Sequence, residues 1–301
     1  MSELCVVKVS EWRAGVMREW EEVKTRKSGT ETMAGAKRSV ETLKGSERVL
    51  LGFRLTSREL DLLEFVLDQK FAGIDALYQR FFTSDSSKST RYAAERIQLL
   101  RRHGFLRAEN VYTQPKLFYV ASPLAKDVLQ SLRPGRRQLD PIESIDARTF
   151  EHDSRVTLCR AHREGADIAR EWVSERRLKA EWAGALGKLA REYCPDGVYT
   201  NRRGEKVAFE LELSPKTRER HAKKISRFLD VMRDSGGAFQ RTLFVACDPG
   251  VKATLEGLTK PYPEQFKVLS FEQVVSPARD GTTPRPSQIR SFRGGENHVR
   301  E

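Results

Sequence analysis

Two runs, Pro195-Asp196-Gly197-Val198-Tyr199 and Val207-Ala208-Phe209-Glu210-Leu211-Glu212, constrain this chain more than any other stretch. Both have strand character, and the Arg202-Arg203-Gly204-Glu205 segment between them has the composition of a hairpin turn. Successive side chains of a strand point to opposite faces, so Glu210 and Glu212 share a face. Asp196, which opens the partner strand, can reach the same place. Three carboxylates converging beside a sheet repel one another unless a cation sits among them. An all-oxygen donor set suits Mg²⁺ or Mn²⁺, held together with water and phosphate. The outline is that of a metal-dependent phosphodiester-cleaving site. The alternative is a set of ordinary solvated acids on an edge hairpin.

The formal net charge of +12 favours a polyanionic partner, most simply nucleic acid. At 301 residues the chain has room for two domains with separate cores. No apolar run approaches the ~20 residues needed to span a bilayer, and Met1–Val7 lacks the basic-then-apolar order of a secretory signal. A cytoplasmic protein is expected, with no membrane partner. Cys5, Cys159, Cys194 and Cys247 are scattered with no CxxC pair, which argues against structural zinc and for reduced thiols.

Taken in order, residues 1–50 are polar and charge-dense and are expected to form a mobile arm, with a weak helix over about Glu11–Lys24. Residues 51–133 read as a first domain. Thr56-Ser57-Arg58-Glu59 is a capping box, after which Leu60, Leu63 and Leu67 line one helical face. A second helix is expected from Ile74 to about Phe82, and a third from about Ser87 to His103, ended by Gly104. On the third helix Ala93, Ile97 and Leu100 face one way, and Lys88, Arg91, Gln98 and Arg102 face the other. Two β-rich runs follow, Phe105–Arg107 and Lys116–Val120. Three helices and a hairpin are the order of a winged helix, whose third helix enters a major groove while the hairpin, here with Lys116, lies along the backbone. The competing use of that fold is dimerisation.

Ser122-Pro123 starts a further helix that fades at Leu132, and residues 134–147 read as a basic, Pro/Gly-marked linker. The second domain, 148–276, opens with a helix from Phe150 to about Arg163 that carries His152-Asp153. A strand at Ala169–Val173 and a basic helix at about Arg176–Gly187 precede the two acidic strands. A helix over about Thr217–Asp234 buries Ile225, Phe228, Leu229 and Met232, with Lys224 flanking that face and Lys223 nearly opposite. Thr242–Cys247 is a continuous apolar run, the mark of a buried strand. A helix at about Val251–Leu258 and a strand at Phe266–Phe271 complete the domain, and residues 277–301 read as a disordered tail. The expected fold is α+β: a winged helix, then an α/β domain with a mixed central sheet.

The α-β-β-α-β order, with an acid opening one strand and Glu-x-charged ending the next, resembles the PD-(D/E)xK nuclease superfamily. That resemblance implies that Asp196 and Glu210 bind metal. The superfamily's lysine position is held here by Glu212, a departure. Some branches carry the amine on the following helix instead, which points to Lys224, with Lys216 as a second candidate. A closer likeness spans most of residues 54–260. It rests on His152-Asp153, Pro195-Asp196-Gly197, Glu210-Leu211-Glu212 and Lys224-Ile225-Ser226-Arg227-Phe228 after a winged helix. In this order the chain resembles the replication-relaxation family of plasmids and integrative elements, which is similar to MobC-type relaxases.

The resemblance implies a restriction-endonuclease-like second domain that nicks double-stranded DNA at an origin of transfer or replication. Asp196 and Glu210 would hold the ion, with Glu212 or Asp153 adding an oxygen, Lys224 stabilising developing charge and His152 moving a proton. For His152-Asp153 a helix-capping role is the other reading. Relaxosome or replication proteins, and a second copy of the chain on a palindromic site, are the implied partners. The alternative function is a non-catalytic replication or transcription regulator whose nuclease-like domain is degenerate, a reading that Glu212 favours.

Overall fold

The structure, a computed structural model, describes residues 53–83, 90–111, 114, 116–135, 138–185, 194–234 and 238–276, together with short strands at 3–6, 41–44 and 48–50. Those strands lie in the stretch expected to be a mobile arm. β1 (Glu3–Val6) pairs antiparallel with β2 (Glu41–Lys44), and β3 (Arg48–Leu50) with β4 (Phe53–Leu55). The helix expected near Glu11–Lys24, the tail beyond Ser276 and Lys88 all lie outside the described residues.

Helix α1 (Ser57–Asp68) begins at the capping box: Thr56 accepts the Glu59 N–H, and the Glu59 carboxylate accepts the Thr56 N–H at 2.9 Å. The heptad-like leucines suggested one buried face, yet Leu60, Leu62, Leu63, Phe65, Val66 and Leu67 are all buried, and so are Glu59, Glu64 and Asp68. Its buried acids are paired, Glu59 with Arg96, Glu64 with Arg133 and Asp68 with Arg177. After it come β5 (Phe71–Gly73), α2 (Ile74–Phe81), α3 (Thr90–Arg102), and the hairpin β6 (Leu106–Asn110) and β7 (Leu117–Ala121). These strands form one antiparallel sheet in the order β5-β7-β6. Ala93, Ile97 and Leu100 of α3 are buried in the shared core, as expected. The helix stops at Gly104, whose φ of 77° is the left-handed conformation glycine adopts freely. Helix α4 (Pro123–Leu132) is capped by Ser122, which accepts the Ala125 N–H.

Residues 138–146 contain no helix or strand but are laid against this body. Ile142 and Ile145 pack with Phe71, Phe118 and Val120, and Arg107 donates to the Ile142 and Glu143 carbonyls. Helix α5 (Phe150–Gly165) then runs along α2, and Phe150 stacks on Phe71. At Gly165 a Cβ would stand 2.6 Å from the Gln79 carbonyl oxygen, so only glycine permits the two helices this approach. Ion pairs, buried or half-buried, seal the junction. Arg177 donates to Asp68 at 2.6 Å with both side chains almost fully enclosed, Arg80 pairs with Glu164 at 2.6 Å, and Arg160 lies over the Phe65 ring.

The remaining elements are β8 (Ala169–Ser174), α6 (Glu175–Ala185), β9 (Gly197–Asn201), β10 (Lys206–Glu212), α7 (Arg218–Asp234), β11 (Arg241–Ala246), α8 (Pro249–Thr259), β12 (Phe266–Ser270) and α9 (Phe271–Val275). Five strands form a mixed sheet in the order β12-β11-β10-β9-β8. β10, β11 and β12 run parallel, and β9 and β8 add antiparallel on the other side. Alternation along β10 divides the core: Ala208 packs with Ile225 and Phe228 of α7, while Val207, Phe209 and Leu211 pack with Val156 and Cys159 of α5. The chain is therefore α+β. No helix of the described residues is long and apolar enough to cross a membrane.

Candidate active site

The acids gather at the carboxyl end of β10, in the middle of the five-stranded sheet. Phe209 is in register with Gly197, so Asp196, one residue earlier, falls beside Glu210. Asp196 Oδ2 accepts the Leu211 N–H at 2.7 Å, which fixes its carboxylate against β10 between the two glutamates. Gly197 belongs to this geometry because the Trp172 indole covers it, and a Cβ there would lie 2.5 Å from Nε1. Asp196, Glu210 and Glu212 are all buried, and Glu212 is wholly enclosed.

Buried acids need cations, and helix α7 brings one. Its inward stripe of His221, Ile225 and Phe228 sets Lys224 at the sheet's edge, where Nζ donates to Glu212 Oε1 at 2.7 Å and also to Glu210. Lys216, before the helix, donates to Glu212 Oε2 at 2.6 Å. The two lysines hold Glu212 below the usual carboxylate range, although burial works the other way. Glu210 behaves oppositely: burial and the Asp196 charge push it up to about 8, against the pull of Lys224. Burial disfavours the Lys224 ammonium, but Glu210 and Glu212 outweigh it and raise its pKa.

From α5, His152 Nε2 stands 3.3 Å from Asp196 Oδ2. Its Nδ1 is 3.7 Å from Asp153 Oδ1, a long contact. Burial opposes a charged ring here, yet Asp153 and Asp196 raise the His152 pKa to about 10. Asp153 is not a helix cap. The N-cap is Thr149, whose hydroxyl donates to Asp153 Oδ2 at 2.8 Å, and Lys70 of the first half donates to the same oxygen at 2.6 Å. These partners, with His152, keep Asp153 acidic in spite of burial.

The expected trio of Asp196, Glu210 and Glu212 is thus not gathered around a single cation position. Among the described residues no three His, Cys, Asp or Glu side chains are arranged to hold a metal ion. Glu212 is turned to its lysines, while Asp196 and Glu210 remain adjacent, their repulsion legible in the raised Glu210. That pair suits an oxygen-seeking divalent ion; Glu212, with both oxygens engaged, does not. Sequence reasoning overlooked Lys70, whose partner lies 83 residues away, and His221, buried beside Glu212 with neither ring nitrogen hydrogen-bonded. His221 stands in the first turn of α7, one turn before Ile225 on the same buried stripe, and that spacing was the available signal for it; nothing local marked Lys70.

On α3 Arg91, Gln98 and Arg102 are exposed on the face opposite the core, as expected. Arg91 is paired with Glu95 at 2.9 Å, and Gln98 accepts from Arg101. Lys116 is exposed and meets Asp75 at 2.6 Å. Neither a search of protein-family models nor one of characterised proteins finds a match for this chain.

Proposed function

We propose that this protein binds double-stranded DNA through its first half and cuts one phosphodiester with its second, as a relaxase-like nicking endonuclease of a plasmid or integrative element. The observation that carries the reading is the trio at the end of β10: two adjacent buried carboxyls, Asp196 and Glu210, with the Lys224 ammonium delivered to Glu210 from the following helix. It has the chemical parts of a PD-(D/E)xK-like site with the amine relocated. The order α1-β5-α2-α3-β6-β7, with its three-stranded sheet, supports a winged helix. The solvent face of α3, with Arg91, Gln98 and Arg102, would enter the groove, and Lys116 would meet phosphate.

Asp196 and Glu210 would hold Mg²⁺ or Mn²⁺, which supplies a polarised phosphate and a more acidic attacking water. Glu210 must give up its proton to serve, which ties ion uptake to pH. Lys224 stabilises negative charge that grows on the phosphate. His152, at Asp196, is placed to move a proton at the same edge. The setting is cytoplasmic, at an origin of transfer or replication, with relaxosome or replication proteins as partners. A homodimer on a palindrome would give half-sites about 34 Å apart.

One observation favours a second reading, a non-catalytic regulator. Each of the four acids (Asp153, Asp196, Glu210, Glu212) already meets a basic group (Lys70, His152, Lys216 or Lys224), so the site needs no ion to offset its carboxylates. Supercoiled plasmid carrying the native upstream region, incubated with Mg²⁺, Mn²⁺ or chelator, separates the two. Metal-dependent nicking that disappears in Asp196→Ala and Glu210→Ala while DNA binding persists is the expected result. Tight binding without nicking in any condition would establish the regulator.

A further inference from the structure

The five-stranded sheet carries a second concavity, on the opposite face and at the opposite end from the acids. Val207 and Leu243 pack on the α5 side of the sheet, whereas Glu210 and Glu212 follow Ala208 to the α7 side. At the end of α5, where β10, β11 and β12 begin, lies a cavity of about 540 Å³. That volume is within the range of small-molecule sites. Its apolar lining is Ile168, Val207, Leu243 and Leu269.

The charge of this cavity is not balanced from within. Arg163, Arg202, Arg203, Arg241 and Lys267 line it, against the two acids Glu205 and Glu264. Both acids pair with Arg241, at 3.2 and 3.4 Å. Arg202 donates to the Ala166 and Asp167 carbonyls, which orient it and leave its charge in place. Arg163 lies over the Tyr199 ring and donates to its hydroxyl at 2.8 Å, and its Nε is buried without a partner. A buried donor left unpaired in a folded protein calls for an acceptor. Arg203 acts on Glu205 only at longer range. Among the described residues no carboxylate stands at ion-pair distance from Arg163, Arg203 or Lys267. Gln265 falls on the same side of its chain segment as Lys267 and Leu269, and its amide has no hydrogen bond among the described residues.

We propose that this cavity binds a nucleoside phosphate, with the base against the aliphatic lining and the phosphate at Arg163, Arg203 and Lys267. Guanidinium groups match phosphate oxygens in planar, paired hydrogen bonds, and the lysine adds a point charge. The aliphatic side chains take the face of a base, and the Gln265 amide offers both a donor and an acceptor to its edge. Inorganic phosphate alone would leave the apolar lining unused, and a neutral nucleoside would leave the cations unanswered. A free nucleotide and the end of a nucleic-acid strand share this chemistry. The site uses neither Asp196 nor Glu210, so its occupancy stands apart from nicking.

The test is calorimetric titration of the full chain in chelator. The probes are the four 5′-nucleoside monophosphates, their nucleosides, inorganic phosphate, and a 5′-phosphorylated single-stranded oligonucleotide. At least one monophosphate is expected to bind, with its nucleoside and inorganic phosphate at least tenfold weaker. Arg203 and Lys267 are exposed, so the double variant Arg203→Ser, Lys267→Ser keeps the parent's thermal midpoint and should bind the monophosphate at least tenfold more weakly. Arg233→Ser, which removes an equally exposed cation on α7, should bind it as the parent does. An oligonucleotide that binds more tightly and displaces the monophosphate assigns the site to a strand end; failure to displace it assigns a free nucleotide. Binding of the oligonucleotide alone also assigns the strand end, provided the double variant loses it. The proposal is overturned if the parent binds neither probe, or if nucleoside or phosphate matches the monophosphate. Affinity unchanged in the double variant overturns it as well.

Discussion

Glu210 makes a prediction that requires no metal and no DNA. Its carboxyl is buried beside Asp196 and is pushed up to about 8 from 4.5. The folded protein therefore binds more protons than the unfolded chain between those two values. Stability contributed at this position is present at low pH and is lost as pH rises from about 5 through 8. At about 1.4 kcal/mol for each tenfold change in proton activity, the window sets a ceiling near 5 kcal/mol, reached only if nothing relaxes. Glu210→Gln keeps the shape of the protonated acid and leaves Lys224 its bond to Glu212 at 2.7 Å. Urea unfolding in chelator at pH 4.5, 7 and 8.5 should show the two proteins nearly equal at the lowest pH. The variant should gain about 2 kcal/mol or more by the highest. His152, raised to about 10 by its acids, loses stability with rising pH in both proteins, so its effect cancels in the difference except for the part that the Glu210 charge supplies. Parallel stability curves for the two proteins across this range would refute the argument that Glu210 and Asp196 are packed as repelling neighbours.

Two further substitutions probe what holds the site in place. Gly197→Ala puts a methyl 2.5–2.8 Å from the Trp172 indole, so it should cost about 1–3 kcal/mol in urea unfolding and displace Asp196; Trp172→Phe in the same chain should recover part of the loss. Arg177→Met leaves Asp68, only 1% exposed, without its main cation and should cost about 3–5 kcal/mol, whereas a change below 1 kcal/mol would show that this ion pair does not bind the halves together.

Much of the fold was legible because its signals are local. The Thr56 capping box, Ser122-Pro123 and Gly104 each mark a boundary through neighbours within four residues, and all three stand where the sequence set them. The short β5 strand was missed because its three residues acquire strand character only by pairing with β7, far along the chain. The Phe266–Phe271 strand was read one residue long for the opposite reason. Ser270 and Gln273 form a second capping box that starts α9 at Phe271, a local signal that was present and overlooked.

Charge was the least legible property. Glu64, Asp68, Arg160 and Arg177 have the pattern of solvated helix faces, yet all four are buried where the two halves meet. Residue type does not distinguish an acid facing water from one facing a guanidinium, because only the partner's position decides it. The site divides along the same line. Strand alternation correctly put Glu210 and Glu212 on one face, and helical spacing put Lys224 beside the buried stripe of α7. What alternation could not say is which of the two glutamates the lysines would claim. Lys216 binds Glu212 alone, Lys224 bridges Glu212 and Glu210, and Glu210 also shares its pocket with Asp196. On the nuclease reading proposed above, the departure from the lysine-bearing motif would be compensated in space: Glu212 stands where that motif has its amine, and it holds the Lys224 amine that α7 supplies.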